Sequence, residues 1–494
     1  MANTNTAVAE PKTEHPNKIG IREGISYMIG EGGNMFVLTY VSSFLKIFYT
    51  DVLKLAPQKV ANLFLFTRLW DAVNDPIWGA IVAKRKPGTA GKYRPYLKWV
   101  ALPLAVSEIM CFFNIGSFTQ NEFILLAFAY ITYIAFGMMY TGMNVPFGSL
   151  ASVITDDPDG RSLLSTFRTI GSGVGGAAPS LLAPFIIYNK ITQADGSTYN
   201  VANSSKMFLF GLIMGVLSLV FYLVCFKHTK ERVPSVAEPK VDVKKLYGSL
   251  LKSRPFIVLA ITGILISGQL QFNSLNQYLY KNYFCNTSLS VVGTIAQYLP
   301  LVLMLPFSGK IVKRFGKKEV CTVTSLVSSV ASIILFVLSG MSNATGALLS
   351  PVVFFVFQFL IGFGYSFISI TNWAVVADVI DFQYFKTGIK NESAIYAVYT
   401  FARKLGQTAA DYGGLTLLGK VGYDSATMSN AGFVKGVSPG ILKVCTIIPA
   451  VTYTLMFIMY AFGFPLTKKK LEPIYEYVRE HNEAQSTADT AENN

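Results

Sequence analysis

Two aspartates four residues apart hold the first clue to the chemistry of this chain. They lie in the stretch TRLWDAVNDPIWG, as Asp71 and Asp75, with Asn74 beside them. On a helix this spacing puts both carboxylates on one face, a turn apart. Pro76 follows Asp75 and weakens the helical hydrogen bonding there. Two carboxylates and an amide oxygen make a set of hard oxygen donors, which suits a cation such as Na⁺. The same closeness of two acids raises the affinity of one of them for a proton. The other use of these charges is structural, as an ion pair with Arg68 one turn before Asp71.

Further polar residues stand in otherwise apolar surroundings. Thr141 and Asn144, in GMMYTGMNVPFGSL, are a turn apart and could add oxygen ligands or sugar hydrogen bonds; they could equally stitch helices together. Glu31 and Asn34 lie in IGEGGNMF, where the acid suits either substrate contact or structural pairing. Arg168, in STFRTIGSG, offers a planar donor fork for hydroxyls or a carboxylate, or pairs with one of the acids around Asp71. Gln269, Asn273, Asn276 and Gln277 share a helical face that could line a cavity or bond to neighbouring helices. Arg403 and Lys404, in TFARKLGQ, are too deep for rim charges; Lys404 is the stronger candidate for the site, with Asp411 as a compensating acid. Glu108 has no evident partner.

The elements that must hold these residues are membrane helices. Of the 494 residues 52% are hydrophobic and only 14% charged, against about 25% in soluble domains. Mean hydropathy is +0.43. The apolar runs are long and continuous, so helices rather than barrel strands satisfy the backbone in lipid. About twelve spans follow, at roughly 24–49, 59–83, 96–117, 121–147, 164–189 and 205–227, then 255–280, 288–312, 319–340, 346–376, 392–419 and 437–466. Polar ends at 1–17 and about 475–494 are expected to be disordered.

Net charge is +14, a value that in a soluble protein would point to nucleic acid. Here the basic residues gather in alternate loops, as in AKRKPGTAGKYRP and GKIVKRFGKK. The excess of Lys and Arg places those loops, and both termini, in the cytoplasm. The chain divides into an N-terminal six-helix bundle at 18–227, a cytoplasmic linker at 228–254, a C-terminal six-helix bundle at 255–466 and a cytoplasmic tail at 467–494. Two six-helix bundles and a basic linker are the organisation of a transporter. Five scattered cysteines show no disulfide or metal spacing. The three histidines, His15, His228 and His481, lie in tails and loops, which disfavours an enzyme. A membrane receptor or lipid-handling protein with a transporter fold is the competing class.

Together the segments resemble the glycoside–pentoside–hexuronide:cation symporters, the group that contains melibiose permease. FYTDV, RLWDAVNDPIWG, GKYRPYL, YTGMNVPFGSLAS, STFRTIGS, VADVIDFQYFKTGIKNES and FARKLGQ occur in the family's order, over about 18–470. The resemblance implies a major-facilitator fold with a sugar site between the halves. It implies a cation site of Asp71, Asn74, Asp75 and Thr141, with Asp71 and Asp75 as ligands if the ion is Na⁺. It also implies roles for Arg168 and Lys404 in sugar binding or gating. Asn144 stands where melibiose permease has an acid, and Gly148 replaces its aromatic four residues later. That shift, and the NVPFGSL and FARKLGQ forms, look more like the glucuronide and pentoside branches. The expected protein is an all-α, multi-pass protein of the plasma membrane, acting as a monomer among lipids. It carries a small sugar or glycoside with Na⁺ or H⁺, using no other cofactor and no nucleic acid. Glu31, Asn34, Asn144, Arg168, Asn273 and Lys404 are the expected substrate contacts.

Overall fold

The structure, a computed structural model, describes residues 19–492 apart from 156, 195, 234–249, 251 and 389–391. The N-terminal segment 1–17 and most of the linker therefore lie outside the described residues. The first half comprises α1 (Ile21–Ile47), α2 (Pro57–Lys84), α3 (Arg94–Trp99), α4 (Ala101–Cys111), α5 (Glu122–Ile154), α6 (Pro158–Ile186) and α7 (Ser204–His228). The second comprises α8 (Arg254–Phe272), α9 (Asn276–Asn282), α10 (Leu289–Phe315), α11 (Lys317–Thr345), α12 (Pro351–Thr387), α13 (Glu392–Lys420), α14 (Ser425–Met428) and α15 (Ser438–Ile458); α16 (Lys468–Glu492) follows. All twelve spans are thus helical, the third as α3 and α4 and the seventh as α8 and α9.

Among the described residues nine helices are long and apolar enough to cross a membrane. The exceptions carry information. The third span is broken at Val100, while α2 and α13 hold the charges singled out above.

The halves repeat one another. Helix α1 packs on α6, and its counterpart α8 packs on α13. Likewise α4 packs on α7 as α11 does on α15, and α2 on α5 as α10 does on α12. Glycine sets the closest crossings. A Cβ on Gly171 or Gly175 of α6 would lie 2.3 or 2.6 Å from backbone oxygens of α1. One on Gly406 of α13 would lie 2.1 Å from the Ile264 oxygen of α8. Only a hydrogen fits there. The halves meet along α2 with α13 and α6 with α10.

One end of the bundle, the near end, carries the start of α1, the α2–α3 connection and α16. At the opposite, far end the halves are bolted together. Asp51, on the π-helical turn Phe48–Val52 that continues α1, pairs with Lys281; both side chains are 0% exposed. Tyr423 and Thr50 each donate to Asp51 at 2.7 Å, and Lys281 also donates to the Ser429 oxygen at 2.9 Å. Ser425 donates to the Leu55 oxygen at 2.6 Å.

Several helix ends differ from the sequence reading, α12 reaching Thr387 instead of 376 and α5 Ile154 instead of 147, and two departures change the architecture. The fifth span ends at Ile186 instead of running to 189, because an antiparallel hairpin begins there, β1 (Tyr188–Thr192) with β2 (Thr198–Ala202). Asn200 of β2 accepts from the Thr287 amide at 3.3 Å, joining the halves. The tail expected to be disordered from about 475 is helical as α16. Leu471 and Ile474 are buried, and the Tyr475 hydroxyl donates to Asp378 at 2.6 Å, which ties the helix down.

Candidate functional site

The second span stays helical through Pro76, so Arg68, Asp71 and Asp75 fall on successive turns of α2. That face looks toward α13 of the other half. Asp75 accepts from the Thr141 hydroxyl of α5 at 3.0 Å and from the Lys404 ammonium of α13. Asp71 lies 3.7 Å from the Arg68 guanidinium. Gly137 of α5 makes the room: a Cβ there would stand 2.9 Å from an Asp71 oxygen.

Arg68 also reaches Asp411 of α13, at 3.9 Å. Asp411 in turn pairs with Lys46 of α1 at 2.6 Å and accepts from Gln271 at 2.9 Å. Lys46 donates onward to Ser274 at 2.5 Å. A chain of alternating charge thus runs Lys46–Asp411–Arg68–Asp71, with Asp75–Lys404 one turn beyond. Burial changes sharply along it. Lys46 and Asp411 are 1% and 0% exposed, whereas Asp75 and Lys404 are 31% and 37% exposed. The site is sealed toward the far end and reached by solvent from the near end.

Asp71, Asp75, Thr141, Asn144 and Lys404 line one cavity of about 430 Å³, together with Arg68, Tyr140 and Gln407. Asn74 is buried beside it, its amide nitrogen without a partner among the described residues. Asn34 is buried outside the cavity lining; it donates to Asn144 at 3.3 Å and accepts from Tyr222 at 2.9 Å. Glu31 pairs with Arg168 at 3.4 Å, and that guanidinium lies 5.9 Å from the Phe147 ring. Asn273 lies elsewhere, in a smaller cavity of about 120 Å³ that shares Ser42 and Gln271 with the first.

Two pairings differ from those read in the sequence, and a third, Arg68 with Asp71, is found as read but extends further. Asp411 compensates Lys46 rather than Lys404. Arg168 takes Glu31 rather than an acid of α2. Arg68 joins the site itself, bridging Asp71 to Asp411. The sequence reading missed Lys46, a lone lysine near a span end that passes for a rim charge able to snorkel. Its signal was the same cost argument that exposed Asp71 and Asp75: an intramembrane charge costs ~2.5–3.5 kcal/mol on insertion scales. Glu108 stays without an account: it is fully buried, and neither oxygen has a hydrogen-bond partner among the described residues.

The oxygens of Asp71, Asp75 and Thr141 are the donor set a hard cation prefers. Lys404 already holds a cationic group against Asp75, so the position is shaped for positive charge.

Comparison with known proteins agrees with this architecture. The isoprimeverose transporter of Lactiplantibacillus pentosus is 28% identical over 81% of this chain and 82% of its own length. The glucuronide carrier protein homolog of Escherichia coli is 25% identical over 91% and 93%. The crystal structure of a D-xylose-proton symporter superposes with a TM-score of 0.59 over 90% of this chain and 98% of its own, at 14% identity, which supports the major-facilitator fold. The profile of the family described as MFS/sugar transport protein matches residues 26–468, and the chain belongs to that family of membrane transporters.

Proposed function

We propose that this protein is a secondary symporter that carries a glycoside-type sugar bearing a negative charge, such as a hexuronide, together with Na⁺ or H⁺. A neutral pentoside bound through its hydroxyls is the alternative cargo. The observation that supports the reading is the Lys404 ammonium seated on Asp75 across the two halves. In the empty carrier Lys404 stands in for the coupling ion. Binding of Na⁺ among Asp75, Asp71, Thr141 and Asn74, or protonation of Asp75, displaces the ammonium. The freed Lys404 then meets an anionic sugar in the same cavity, where Asn144 supplies an amide and removes the repulsion an acid would bring.

Coupling follows from this exchange. An ion without sugar leaves Lys404 unpaired in a partly buried cavity, and a sugar without the ion meets a lysine already engaged. Each ligand therefore strengthens the other's binding, reciprocally. Glu31, Asn34 and Arg168, expected as substrate contacts, do not line the cavity; Asn34 holds Asn144 in place through its hydrogen bond, and the Glu31–Arg168 pair joins α1 to α6. With the basic loops in the cytoplasm, the near end faces inward and the conformation is inward-facing. Rocking of the halves about the site then exchanges access between the two sides.

The test is a charge comparison. Lys404→Gln should weaken binding of an anionic sugar about tenfold or more, on the scale of the ~1.5–3 kcal/mol of a hydrogen bond to a charged group. It should change little for an uncharged analogue of the same size. Equal losses for both ligands in competition against labelled substrate would remove the anionic assignment.

A further inference from the structure

We propose that the smaller cavity beside the charged one holds a second, neutral sugar residue, so that the preferred cargo is an anionic sugar joined to an uncharged one. This rests on the reading of Lys404 as the anchor of an anionic sugar. The two cavities meet at Ser42 and Gln271. Their chemistries differ. No Asp, Glu, Lys or Arg lines the smaller one; amides, hydroxyls and two tyrosines, Tyr280 and Tyr298, make most of its wall. A charged group placed there would meet no free counter-ion, since Lys46 behind Ser274 and Asp411 behind Gln271 already neutralise each other, and an apolar group would strand the amides. A polyol meets both requirements.

Gln271 and Asn273 are engaged, with Asp411 and Gln269, but two further amides are uncommitted at their oxygens. The side-chain oxygens of Asn276 and Gln277 are buried and have no hydrogen-bond partner among the described residues. Gln297 reaches the cavity from α10, so its wall draws on α1, α6 and the second half alike. The helix that presents most of these groups is broken here: a 3₁₀ turn, Asn273–Leu275, separates α8 from α9. Such breaks in membrane helices are tolerated where they line a cavity, and they recur at substrate sites. Size limits the guest. An engineered cavity of ~150 Å³ takes up one benzene ring. The volume of about 120 Å³ is thus on the scale of one small sugar ring that protrudes at the shared wall.

Competition against labelled methyl glucuronide in proteoliposomes tests this with two probes, methyl glucuronide itself and glucuronosyl-xylose. In the wild-type protein the xylosyl extension should tighten binding about tenfold, since the hydrogen bonds it gains outweigh its ordering cost. Asn276→Ala and Gln297→Ala, on different helices, should each erase most of that gain. Both should keep wild-type affinity for methyl glucuronide, which also shows that they are folded. A wild-type protein that gains nothing from the xylosyl group overturns the second-residue assignment alone, as do variants that weaken both probes equally. A wild-type protein that binds neither probe overturns the anionic-sugar reading and this assignment with it.

Discussion

Asp75 accepts at once from a hydroxyl of its own half and an ammonium of the other. Asp75→Asn removes the charge that both the coupling ion and Lys404 require. Concentrative uptake should be abolished, while exchange of labelled sugar across the membrane survives in part. Accumulation that persists under Na⁺ and H⁺ gradients in both Asp75→Asn and Asp71→Asn would end the cation-site assignment. Thr141→Ala separates the ions. It should lower apparent Na⁺ affinity about tenfold if its oxygen is a ligand, a loss of roughly 1.4 kcal/mol, and be nearly silent if the ion is H⁺. The sequence made Asp71, Asp75, Thr141, Asn144 and Lys404 visible as candidates, because polar groups in an apolar run need a reason. Apart from Arg68 with Asp71, it did not show who pairs with whom. Asp75 and Lys404 are 329 residues apart, and only the apposition of α2 and α13 brings them together.

Helix crossings repeat across the halves, and so do the basic residues beside them. Arg168 stands three residues before Gly171, and Arg403 three before Gly406. Arg168 pairs with Glu31 of α1; Arg403 donates to Ser267 of α8 at 2.9 Å. Arg168 lies over Phe147 of α5; Arg403 lies 5.7 Å from the Trp373 ring of α12. Lys404 is thus the asymmetric addition, turned to the cavity beside a repeated arginine. Gly406→Ala should destabilise the second half by about 1–3 kcal/mol, since overpacked contacts cost that much and the Ile264 oxygen is backbone. A thermal-shift measurement in detergent showing an unchanged midpoint would contradict this close contact. Nine of the twelve spans are legible from apolar length, while α2, α13 and the broken third span fall short of it and were read from mostly apolar runs between charged loops. The hairpin after α6 and the 3₁₀ break after α8 were not, because hydropathy reports what is buried and not how the backbone bends inside it.

At the scale of the whole molecule the far-end ion pair Asp51–Lys281 joins the two halves. Removing one partner of a buried ion pair typically costs ~3–5 kcal/mol, and here both partners belong to the interface that must open. Lys281→Gln should therefore favour the alternative conformation. A cysteine placed at Ser274, just inside the bolt, should react faster with a charged thiol reagent added from the far side in Lys281→Gln than in the parent. Equal rates would show that the bolt does not hold the far end shut.

The paired charges of the site also have an electrical meaning. Lys46 with Asp411, Arg68 with Asp71, Arg168 with Glu31 and Lys404 with Asp75 each cancel, so the unloaded site presents little net charge to the membrane field. The return of the empty carrier is then nearly indifferent to voltage. What a full turnover moves is the charge of its cargo. A monovalent cation with an anionic sugar sums to zero, and the membrane potential adds nothing to accumulation. A neutral sugar carried with the same ion moves one charge, worth ~2.3 kcal/mol per 100 mV. On this footing the ion pairs decide which cargo lets the cell's voltage, rather than its ion gradient alone, do the work of concentration.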